Sequence, residues 1–76
     1  MELSKQMQIL LNEAEYIYET YFFHADLEHD GHAVFKVALE ATRRLTLRHG
    51  GPLAFRLAQI MTDQAVAVYE SANPAA

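Results

Sequence analysis

The 76-residue sequence predicts an all-α fold, a three-helix up-down-up bundle completed by dimerisation. Three observations lead there. Apolar residues recur at helical spacing in three successive segments. Gly31, Gly50, Gly51, Pro52 and Pro74 are the only glycines and prolines, and all lie at or near the segment boundaries. The third segment is apolar on more sides than one layer of helices can cover. Residues 1–76 form a single domain, with helices expected over about 3–24, 31–49 and 52–72 and a tail over 73–76.

In the first segment Leu3, Met7, Leu10, Ala14, Ile17 and Tyr21 follow alternating steps of four and three, and Leu11, Tyr18 and Phe22 widen the stripe. Ser4 is the expected N-cap, because its hydroxyl can accept an otherwise unpaired amide proton. Extending this helix to Glu28 would turn an acid onto the core side, so it should stop near His24.

The second segment places Val34, Val37, Ala38, Ala41 and Leu45 on one face, flanked by Phe35, Leu39 and Thr42. Asp30 suits its N-cap in both hydrogen bonding and charge. Arg43, Arg44, Arg48 and His49 fall in its last two turns, where cations complement the helix dipole. Gly50 follows as the expected left-handed C′ residue.

The third segment opens on Pro52, whose missing N–H costs nothing in a first turn. Its polar residues Arg56, Gln59, Asp63 and Glu70 gather in a narrow strip. Leu53, Phe55, Leu57, Ile60, Met61, Val66, Val68 and Tyr69 take most of the remaining circumference, padded by alanine. Helices of this length are roughly 30 Å long, and short connectors make neighbours antiparallel.

Composition narrows the functional classes. There is no cysteine, so disulfides and thiolate metal sites are excluded. No apolar run approaches a bilayer's thickness, and no membrane association is expected. Met1–Lys5 leads into an amphipathic stretch rather than an apolar block, so the cytoplasm is the expected location. The formal charge of −4 disfavours nonspecific nucleic-acid binding. Charge is also segregated: residues 1–35 hold seven acids and one base, and residues 36–56 hold five bases and one acid.

Ile9, Tyr16 and Phe23 repeat every seven residues, far from the core stripe of the first helix. An aligned apolar line with two aromatics is the composition of an interface core. These three are the expected protein-contact residues, with Glu15 and Glu19 as a charged rim. Leu47 stands alone among charges on the second helix.

The connector holds His24, Asp26, Glu28, His29, Asp30 and His32 within nine residues. Imidazoles and carboxylates together suit zinc or iron. His24, Glu28, His29 and His32 are therefore the candidates for an alternative metal-binding function. Glu28 and His32 are four apart, no second copy exists, and HExxH is absent, so no metal or other cofactor is assigned. Arg43, Arg44, Arg48, His49 and Arg56 around Gly50-Gly51-Pro52 give a second alternative, a nucleic-acid-binding regulator acting through Arg43–Arg56. The acids Asp63 and Glu70 on the third helix weigh against it. No nucleophile, phosphate loop or triad signals catalysis, and no catalytic residue is assigned. The expected function is a non-catalytic interaction module of adaptor, chaperone or inhibitor type, partnered by itself or by a larger protein.

Overall fold

The computed structural model describes residues 4–74 and consists of three helices with no strand among those residues. The first helix is α1 (Lys5–Ile17), which continues without a break into a π-helical turn, Tyr18–Phe22. The second is α2 (Gly31–Ala41), which likewise runs into a π-helical turn, Thr42–Leu47. The third is α3 (Gly51–Ala72). Leu3 and the last two residues of the tail, included in the sequence-based expectation, lie outside the described residues.

Both expected N-caps form. Ser4 accepts a hydrogen bond from the Met7 amide at 3.2 Å, and Asp30 accepts one from the His32 amide at 2.9 Å. Each satisfies one orphan amide of a first turn. The first helix ends with its π-helical turn at Phe22, and Phe23 is its C-cap. Gly50 has φ +72° and ψ 178°, and Gly51 has φ +88°. Gly50 is thus not the left-handed cap the sequence suggested. It is extended with positive φ, a conformation essentially restricted to glycine. Gly51 opens α3 one residue before Pro52.

The helices are antiparallel along the chain. Glu13 lies opposite Arg44 and Arg48, Tyr21 opposite Glu40, and Gly31 beside the Tyr69 ring. At the far end Asn73 donates to the Glu28 carbonyl and so ties α3 to the connector. The molecule measures 45 × 23 × 21 Å. That near-square cross-section is the one expected of a three-helix bundle, with α3 laid along the second helix and meeting the first through side chains. The physical reason is a shared core: Leu10, Ala14 and Ile17 meet Ala41 and Leu45 and also Ala54, Ala58 and Met61. A second cluster of Leu27, Ala33, Val37 and Ala65 closes the connector end.

The inward face of α3 differs from its expected one. Its buried residues are Ala54, Ala58, Met61 and Ala65, three of them small. Alanine lets α3 approach the second helix closely, and most of its larger residues turn outward. Leu53 remains 43% exposed, Phe55 59% and Ile60 39%. The alanines described as padding are the core, and much of the apolar bulk of α3 is surface.

Candidate interaction surface

The outward apolar residues of α3 meet those of the first helix along one face. At its lower end Met7, Leu10 and Leu11 of α1 and Leu53, Leu57 and Ile60 of α3 line an apolar cleft of about 140 Å³, bordered by Arg56. Higher up, Leu11, Ala14 and Tyr18 border an open hollow with Glu15, Glu19 and Phe23. The face then broadens where Tyr18, Phe22 and Phe23 confront Gln64, Ala67 and Val68. The Tyr18 hydroxyl donates to the Gln64 side chain and bridges the two helices there. Tyr18 and Phe22 pack on each other with ring centroids 4.7 Å apart, which stiffens this end.

Of the five contact residues expected from the sequence, this face brings together Phe23, Glu15 and Glu19. It does not include Ile9 or Tyr16. The Arg44 guanidinium lies over the Tyr16 ring, 4.2 Å from its centroid, which places Tyr16 on the flank toward the second helix. Ile9 is exposed two turns earlier, on the same side of α1. The expected line presumed a continuous α-helix. The π turn Tyr18–Phe22 closes its hydrogen bonds one residue later, as in the Phe23 amide to Tyr18 carbonyl bond of 3.0 Å. One extra residue rotates everything beyond it by about 100°. Phe23 is carried from the Ile9–Tyr16 side to the α1–α3 side, where it stands 73% exposed.

Sequence reasoning missed Leu11, Leu57, Ile60 and Val68 as members of this surface. The breadth of apolar residues on the third segment was the available signal, and it lacked only the direction in which they turn.

The first and second helices are joined by a polar network instead. Arg44 lies 3.8 Å from Glu13 and 3.9 Å from Glu40, while Arg48 reaches Glu13 at 3.5 Å and Arg43 reaches Glu40 at 3.7 Å. The Tyr21 hydroxyl donates to Glu40 at 3.1 Å. Burial, then the hydrogen bond to Glu40 and its charge, raise the Tyr21 pKa above its ordinary value. Three of the arginines expected to form a basic surface are thus paired with carboxylates of the bundle. Arg56 stands apart from them, on the α1–α3 face.

In the connector, His29 Nδ1 lies 3.1 Å from both oxygens of Asp26, and Asp30 is occupied as a cap. His32 stacks near Phe35 with ring centroids 6.2 Å apart. Among the described residues no three His, Asp or Glu side chains converge closely enough to hold a metal ion. No helix among them is long and apolar enough to cross a membrane. No protein-family model, no curated protein and no solved structure matches the chain.

Proposed function

We propose that this chain is a non-catalytic protein-interaction module, an adaptor, chaperone or inhibitor in type, that acts through its α1–α3 face as a homodimer in the cytoplasm. One observation carries the reading: α3 buries alanines and turns Leu53, Ile60 and Val68 outward beside Leu11 and Phe23 of the first helix. Scattered apolar residues on a surface need no explanation, whereas a contiguous apolar strip flanked by charges marks an interaction site. Leaving it uncovered in water would forgo about 25 cal/mol for every Å² of apolar area. A chain of this size gains from any partner that covers it, since its own core is small.

The test is sedimentation velocity of the full chain across a wide concentration range, beside an Ile60→Glu variant. Ile60 is partly exposed, so the variant should keep its helical circular dichroism. The wild type should associate as concentration rises, with a melting temperature that rises in parallel. Ile60→Glu should remain monomeric. A wild type that is monomeric throughout would overturn the homodimer, and a variant that associates equally well would overturn the choice of face.

A further inference from the structure

We draw no further inference here: the strongest candidate, the apolar cleft lined by Met7, Leu10 and Leu11 of α1 and Leu53, Leu57 and Ile60 of α3, belongs to the surface already described, and nothing in the structure shows what covers it.

Discussion

Replacing Ala58 by leucine tests the inside-out character of α3 directly. Ala58 is 4% exposed and belongs to the cluster that joins all three helices. Leucine adds three carbons where neighbouring helices approach closely. Overpacking of this kind costs about 1–3 kcal/mol, because the added atoms push side chains off their rotamers or the helices apart. A chain of 76 residues has a total stability on the order of 4–11 kcal/mol, so the loss is a sizeable fraction. Each kcal/mol corresponds to about 4–8 °C in a domain of this size, giving an expected fall of about 4–24 °C. The companion variant is Phe55→Ala, at a position 59% exposed and away from the α1–α3 cleft. It removes a large side chain yet should change stability by no more than about 0.5 kcal/mol. Thermal and urea unfolding followed by circular dichroism, at one fixed protein concentration, measures both. Had α3 buried its large residues, Phe55→Ala would cost about 3–5 kcal/mol and the leucine would be neutral or helpful. That pattern of results would refute the assignment of the alanine face to the core.

Three further outcomes are expected. Gly50→Ala forces a Cβ into an extended, positive-φ conformation and should cost about 1–3 kcal/mol, read as a lower urea midpoint; an unchanged midpoint would contradict the connector geometry. Arg44→Ala removes the cation shared by Glu13 and Glu40 and the contact with Tyr16, and partial exposure limits the loss to about 1–2 kcal/mol, with high salt narrowing the gap to the wild type. Tyr21→Phe loses the bond to Glu40 and should cost about 0.5–1.5 kcal/mol at neutral pH. Because the folded Tyr21 pKa is raised, its contribution is complete below about pH 10, where the unfolded tyrosine begins to ionise, and is lost as pH climbs toward the folded value. Comparing urea midpoints of the wild type and Tyr21→Phe at pH 8 and above pH 10 should show their difference shrinking, and a difference that grows would contradict the Tyr21–Glu40 pairing.

Local signals in the sequence determined the number of helices and the N-caps of the first two. Ser4 and Asp30 cap because a short oxygen-bearing side chain before an apolar-periodic run has little else to bond. The inward stripe of the first helix, Leu10, Ala14 and Ile17, was also legible, since a helix with one apolar stripe has one way to turn. Glu15, Glu19 and Phe23 belong to the candidate surface, but the sequence grouped them with Ile9 and Tyr16. Periodicity assumes 3.6 residues per turn, and the π turn Tyr18–Phe22 changes that phase through tertiary packing that leaves no mark in the apolar pattern. Packing alone also decided the orientation of α3. A helix apolar nearly all round has several inward faces of similar hydrophobicity, and the choice falls on Ala54, Ala58, Met61 and Ala65, whose alanines let α3 lie close to the second helix while Met61 joins the shared core. The sequence by itself thus determined three helices and an excess of apolar surface. Only the tertiary structure decided that this excess gathers between the first helix and α3, with Phe23 at one end and a ring-sized cleft at the other.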